Sequence, residues 1–282
     1  MNWVYIIGSI YILILLAVCL RVIYETRSAT KTMAYLLLVL FIPVAGIVFY
    51  ILFGINFWKT KLYSKKSGED EKMLQSLKEQ MKVYMDETIS PNDLSIENNR
   101  ELAVMLAKEL RSPLTRRNKV KLLLNGEEKF PEVLEAIRSA KHHIHIEYYI
   151  YEQDKIGEEI EELLIQKANA GVQVRFIYDD FGSPNIRRTI EKKMRKAGIE
   201  IYPFQKVSFY LLANRLNYRN HTKIILIHGQ TAFTGGINVC DKYINNGSHK
   251  LYWRDTHLRI DGPGVFYLQY LFLTNWNFCT GK

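Results

Sequence analysis

Cysteine is scarce in this sequence of 282 residues: Cys19 lies in an apolar run, and Cys240 and Cys279 stand far apart. Three thiols so placed exclude a disulfide framework and a cysteine-based zinc site, and they fit a reducing compartment. Charge is missing from residues 1–20 and again from residues 32–58. Each stretch reaches the roughly 20 apolar residues that a helix needs to cross a bilayer core, which excludes an ordinary soluble surface for this part of the chain. Lys and Arg are absent ahead of the first run, and no small-residue cleavage pattern follows it before Arg21. The run therefore reads as an anchor rather than a cleaved leader.

Two spans, at about 3–23 and 33–55, are the natural reading of residues 1–58. Pro43 and Gly46 fall inside the second, where a membrane helix tolerates them if neighbours satisfy the freed carbonyl. The connection at residues 21–31 is too short for a domain, so the pair is expected to form a transmembrane hairpin with both ends on one side. Arg21, Arg27 and Lys31 compete with Lys59, Lys61, Lys65 and Lys66 under the positive-inside rule. The exit flank carries more positive charge, which places the rest of the chain in the cytoplasm and makes this a two-span protein of the cell membrane. Formal charge is +9, of which residues 1–55 supply three basic against one acidic group, leaving +7 on the remainder. That excess attracts anionic lipid headgroups or nucleic acid, and charge alone does not choose between them.

Residues 59–118 read as a charged linker with amphipathic helices: Leu74, Leu77, Met81 and Tyr84 recur at helical spacing, Pro91 interrupts, and a second stripe covers 102–110. Such stripes pack on a neighbouring core or, alternatively, lie on a membrane surface. From residue 119 to 282, strands and helices alternate. Strands are expected at 120–124, 143–151, 172–178, 223–227, 231–234 and 252–260. Helices are expected at 131–140, at 156–170 ended by Gly171, at 186–197 ended by Gly198, and at 265–278. Strands separated by helices of this length give an α/β body, a mixed sheet with helices on both faces.

The chemistry concentrates at residues 218–238. His221 and Lys223 are two apart at the start of an apolar strand, so their side chains share a face. An imidazole can attack phosphorus while an ammonium and amide donors neutralise the non-bridging oxygens. That chemistry calls for no metal and no cofactor. Gly235 and Gly236 let the backbone approach a phosphate closely, and Asn238 follows with an amide donor. His142, His143 and His145 lie on or beside one strand without a completing set of carboxylates or thiols, so they read as structural rather than metal-binding. Tyr148, Tyr149 and Tyr151 beside Glu147 line either a headgroup pocket or the core. Asp179 and Asp180, after a strand, shape a loop or begin a helix.

The His-x-Lys pair with Gly-Gly-x-Asn behind it, preceded by Asn220, resembles the HxKxxxxD signature of the phospholipase D superfamily, and more narrowly the bacterial cardiolipin synthases. The likeness extends over the paired apolar runs, Phe130-Pro131, residues 142–149, residues 178–182 and residues 253–260. It implies a phospholipase-D-like fold and a transferase that moves a phosphatidyl group from one phosphatidylglycerol to another through a phosphohistidine, releasing glycerol. On that resemblance His221 is the nucleophile or general acid. Lys223, Asn238, Gly235, Gly236, Asn220 and Glu147 serve the phosphate and substrate, and Asp255 is the carboxylate that fixes the imidazole tautomer.

Two departures matter. His228 stands where the motif has its aspartate, at opposite strand parity from His221 and so facing away from the phosphate, where its cost falls on stability rather than on the nucleophile. A second HxKxxxxD copy, which would supply the general acid, does not occur before Lys282, so the sequence reads as the first lobe only. A homodimer or a separate second lobe would restore the missing acid. Phosphatidylglycerol and anionic membrane lipid are the expected partners, with nucleic acid not expected. A homodimeric phosphodiesterase or nuclease, and a truncated non-catalytic lipid-binding remnant, stay open as alternatives.

Overall fold

A computed structural model describes residues 3–26, 28–51, 75–76, 79, 99–109, 114–204, 220–247 and 250–281. The chain divides into two compact units, one holding the N-terminal helices and the other the α/β body. The apolar stripe at Leu74, Leu77, Met81 and Tyr84, the flank at Lys59, Lys61, Lys65 and Lys66, and residues 216–219 lie outside the described residues.

In the first unit, α1 (Trp3–Glu25) is uncharged until Arg21, and within it Tyr5–Glu25 is long and apolar enough to cross a membrane. The second apolar run is not one continuous helix. It forms α2 (Ala29–Phe41), then breaks at Ile42 and resumes as α3 (Pro43–Phe49). The break has a local cause: Pro43 has no N–H to donate, and its ring pushes the preceding Ile42 out of helical geometry, to φ −133° and ψ 67°. Val22, Val39 and Tyr50 close the contact between α1 and the broken pair, so the helices do fold back on one another.

In the second unit, α4 (Arg100–Glu109) precedes a seven-stranded sheet. Its strands are β1 (Lys119–Leu124), β2 (His143–Tyr148), β3 (Gln173–Tyr178), β4 (Glu200–Pro203), β5 (Lys223–Ile227), β6 (Thr231–Gly235) and β7 (Thr256–Asp261), in the order β1-β7-β6-β5-β2-β3-β4. The pairs β2/β3 and β3/β4 are parallel and the rest antiparallel, which makes the sheet mixed as the alternating pattern requires. Helices α5 (Asn125–Ser139), α6 (Lys155–Asn169) and α7 (Glu191–Lys196, after a π-helical turn Ile186–Ile190) cover one face. Helix α8 (Val265–Thr280) covers the other, setting Val265, Phe272 and Trp276 on Ile177, Ile224, Leu226 and Ala232.

Helix α5 starts six residues before Pro131, where sequence reasoning placed its beginning. The carboxylate of Glu128 receives the N–H of Leu124 and satisfies one free donor of the new helix, so the first turn forms ahead of the proline. The consequence for the site is large, because that extra turn and a half carries Asn125 and Lys129.

Candidate active site

Strand directions bring the chemistry to one end of the sheet. Tyr148 at the end of β2 pairs with Lys223 at the start of β5, and Gly235 at the end of β6 pairs with His257 near the start of β7. The loops at this end therefore converge on a single region.

His221 precedes β5 and is exposed, while Lys223 is buried beneath it. The Lys223 ammonium donates to the backbone oxygen of His221 at 2.9 Å and lies 3.3 Å from its Nδ1. Tyr149 closes one side: its ring centroid is 4.7 Å from that of His221, and Lys223 Nζ sits 5.5 Å from the same ring. Partial burial, then the cation on Lys223, hold the His221 pKa below its ordinary value, and Asp179 works in the opposite direction. Burial likewise lowers the pKa of Lys223, opposed by the nearby carboxylate of Asp255.

The segment leading into His221 is fixed by two buried carboxylates. Asp179 accepts the N–H of Asn220 at 2.9 Å on one oxygen, and the N–H groups of Phe181 and Gly182 on the other. It thus shapes its own loop, as its place after a strand suggests, and also ties that loop to the His-x-Lys pair. Glu147 accepts from the Asn220 side chain and from Asn275 of α8, while Asn220 Oδ1 receives Thr222 N–H. Glu147 and Asn220 are thereby placed beneath the pair, as buried supports.

Gly235, Gly236 and Asn238 form the opposite wall. A Cβ on Gly235 would stand 2.7 Å from His257, and one on Gly236 would collide with the Asp255 carboxylate, so only glycine fits where β6 hands over to the loop. Asn238 is buried; its Oδ1 receives Ile150 N–H at 3.2 Å and its Nδ2 donates to Tyr243 at 2.8 Å, which spends most of the amide on holding the loop. Asp255 makes no hydrogen bond to His221 among the described residues. It lies against Gly236, takes the N–H of Thr256, and acts electrostatically on Lys223 and Lys129.

Two groups here were not singled out from sequence. Lys129 of α5 is fully buried; it donates to the carbonyls of Ile237 at 2.8 Å and Asn238 at 3.4 Å, between the rings of Phe130 and Tyr148. Its burial drives its pKa well below the usual lysine value. A signal was present: residues 129, 133 and 137 recur on the apolar stripe of α5, and only the first carries charge. His257 is buried with neither ring nitrogen bonded among the described residues, and burial beside two lysines lowers its pKa to about 2. No pattern in the sequence marks it.

His228 sits elsewhere. It has φ +58° and Gly229 has φ +65°, with Gln230 N–H donating to Ile227 O at 3.0 Å, the geometry of a tight β5–β6 hairpin turn. This turn is at the far end of β5, about 16 Å from Lys223 at the usual rise per strand residue. Its Nε2 accepts Lys141 N–H at 2.8 Å, and its ring meets those of His142 and His143. Among the described residues no group of three or more His, Cys, Asp or Glu is arranged to hold a metal ion.

Comparison with known proteins places the chain's likeness at the level of sequence. Residues 133–250 match the family model for the phospholipase-D-like domain of cardiolipin synthase, and residues 10–54 match the phospholipase D-nuclease N-terminal model. Cardiolipin synthase 1 of Bacillus cereus is 38% identical over 96% of this chain and 52% of its own length; cardiolipin synthase of Alkalihalophilus pseudofirmus is 36% identical over 98% and 54%. Among solved structures, the phospholipase D family member Nuc from Salmonella typhimurium aligns with 57% of this chain and 95% of its own, at 21% identity and a TM-score of 0.42. The chain spans about half the length of the curated relatives it matches, and over nearly all of its own length it is similar to cardiolipin synthases.

Proposed function

We propose that this chain is the first lobe of a membrane-anchored phosphatidyltransferase that makes cardiolipin from two phosphatidylglycerols. The observation that carries the reading is the contact between an exposed imidazole and a buried ammonium, His221 on Lys223, beside the glycine-restricted wall at residues 235–236.

A nitrogen of His221 attacks phosphorus, the bond to the first glycerol oxygen breaks, and a phosphohistidine forms. Lys223 moves from the Nδ1 and carbonyl of His221 to the non-bridging oxygens, where its charge is needed most as negative charge builds. The leaving oxygen takes a proton from a general acid, supplied in this reading by a second His-x-Lys lobe or by a second copy of the chain. A glycerol hydroxyl of the second phosphatidylglycerol then attacks the phosphohistidine and regenerates the imidazole. One phosphodiester is exchanged for another, so no energy donor enters. Asp179, Glu147 and Asn220 set the approach of His221; burial lowers the pKa of Lys223 and the Asp255 carboxylate works against that loss.

The membrane reading rests on α1 and on the match of residues 10–54; residues 33–55 are proposed as a second crossing, with the lobe on the cytoplasmic side. The reading is tested with the chain in mixed micelles of phosphatidylglycerol labelled at phosphorus. Expected are protein-bound label, its loss in His221→Ala, and release of glycerol. Cleavage of single- or double-stranded DNA with the lipid untouched would instead establish the nuclease alternative.

A further inference from the structure

Between the 3-10 turn Asp241–Tyr243 and β7, three large apolar residues stand in the open: Leu251, Tyr252 and Trp253 are 78%, 69% and 38% exposed. They are held there by two asparagines. Asn245 receives Trp253 N–H at 2.7 Å and donates to Trp253 O at 3.1 Å, gripping both backbone groups of one residue. Asn125 receives Asp255 N–H at 3.0 Å, donates its own N–H to Asp255 O at 3.0 Å, and reaches the Tyr252 hydroxyl with its amide at 2.9 Å. Asn125 takes the left-handed conformation, φ +56°, to do so. A clasped loop that displays apolar side chains marks a contact surface.

The surrounding charge is cationic. Lys250 and Arg254 flank the three residues and are exposed, and Lys242 lies 4.8 Å over the Trp253 ring. Of the neighbouring carboxylates, Glu127 accepts from Asn245 and keeps its charge, and Asp255 turns inward against Gly236 and Thr256 N–H, so Lys242, Lys250 and Arg254 remain in excess around the loop.

We propose that residues 250–254, with Lys242, form an interfacial foothold on an anionic lipid bilayer, which rests on the lipid reading of the site. Leu251 and the open edge of Tyr252 enter the boundary between headgroups and acyl chains, the Trp253 ring, packed edge-on against Tyr243, lies at its rim, and Lys242, Lys250 and Arg254 meet lipid phosphates. Charge complementarity selects the bilayer over a protein partner, as does size: three apolar side chains fall far short of the about 20 residues per side of a stable protein interface. The loop joins Asp255 directly, so docking it sets the glycine wall at the depth of the lipid phosphodiester, and the substrate need not leave the membrane to reach His221.

The test places a nitroxide on Leu251→Cys in the full chain with Cys19, Cys240 and Cys279 replaced by alanine, and on Lys196→Cys as an exposed control, in vesicles of phosphatidylglycerol mixed with phosphatidylcholine. The expected result is oxygen access and protection from an aqueous nickel chelate at 251, with the reverse at 196. Changing Lys242, Lys250 or Arg254 to Glu should lower the inserted fraction by at least about fivefold each. Equal nickel access at both positions, while the wild-type chain still takes phosphorus label from phosphatidylglycerol, overturns the foothold and leaves the catalytic reading intact. Insertion at 251 in a chain that takes no label supports the foothold and removes the catalytic reading. Restricted label motion in detergent and vesicles alike, without oxygen access, assigns the loop to a protein contact and overturns the proposal.

Discussion

The ammonium of Lys223 touches His221 twice, at its backbone oxygen and near Nδ1, so the two members of the His-x-Lys pair are in contact before any phosphate arrives. Burial first, and then a cation this close, disfavour protonation of the ring and hold the His221 pKa below its ordinary value.

Removing that cation has a signed consequence. In Lys223→Met the His221 pKa should rise, because the repulsion is gone while Asp179 still favours the imidazolium. The acid limb of covalent labelling by phosphatidylglycerol should therefore move to higher pH, and the labelling rate at neutral pH should fall on the order of a hundredfold or more through loss of charge stabilisation. Titration of the His221 ring by NMR in both proteins checks the first part. An unchanged or lower pKa would show that Lys223 does not govern the ring.

Lys129 bears on the same wall from behind. Its replacement by Met leaves the carbonyls of Ile237 and Asn238 without their buried donor, at a cost of about 1–3 kcal/mol for each carbonyl. Lys129→Met should lower the thermal midpoint, and labelling should drop more than folding accounts for, since Gly236 and Asn238 lose their fixed position. Comparing labelling rates at a temperature where both proteins are fully folded separates the two effects, and equal rates there would reduce Lys129 to a packing residue.

How far the sequence disclosed this site depends on which physical signal each residue carries. Runs such as Lys223–Ile227 announce a strand through β-branched residues, and His221 and Lys223 share a spacing that only one face can satisfy. Strand β4 is four residues long and ends in proline, too short for an alternating pattern to register. Tyr252 and Trp253 read as strand formers, yet Asn245 and Asn125 take their neighbouring backbone groups and hold residues 252–255 as loop. Lys129 is obscured by Pro131, which suits a helix start so well that the pattern gives no sign of the turn before it. The N-terminal helices give the reverse lesson: the uncharged length of residues 32–58 suggests one continuous span, while Pro43 and Ile42 impose a break by local sterics.

The His228 turn gives a prediction against the motif. Asp-Gly and Asn-Gly suit a hairpin corner with both central residues left-handed, and histidine tolerates that region better than most side chains. His228→Asp should consequently leave phosphatidyl labelling within about twofold of wild type, because the position is a strand length from Lys223. His228→Val, β-branched at positive φ, should destabilise by on the order of 1–3 kcal/mol. Denaturation midpoints and labelling rates measured together decide it: a large gain of activity in His228→Asp would mean that the aspartate of the motif acts on the site and not on the turn.

Acid sensitivity should originate in two buried histidines. Burial lowers the pKa of His145, stacked on Phe272, to about 3 and that of His257 to about 2, against 6.5 for a histidine in the open. Folded His145 and His257 thus refuse protons that the unfolded chain accepts, so stability is complete above pH 6.5 and drains away as pH falls toward the folded values. At pH 5 the expected loss is about 2 kcal/mol per histidine, one and a half pH units below the unfolded value. His145→Leu should cancel its share, flattening the dependence between pH 7.5 and 5, although the midpoint itself drops because Gln269 Nε2 loses the His145 Nδ1 that it meets at 2.7 Å. If the variant and the wild-type chain lose stability equally over that interval in the same detergent, the histidines are not the origin of the acid response.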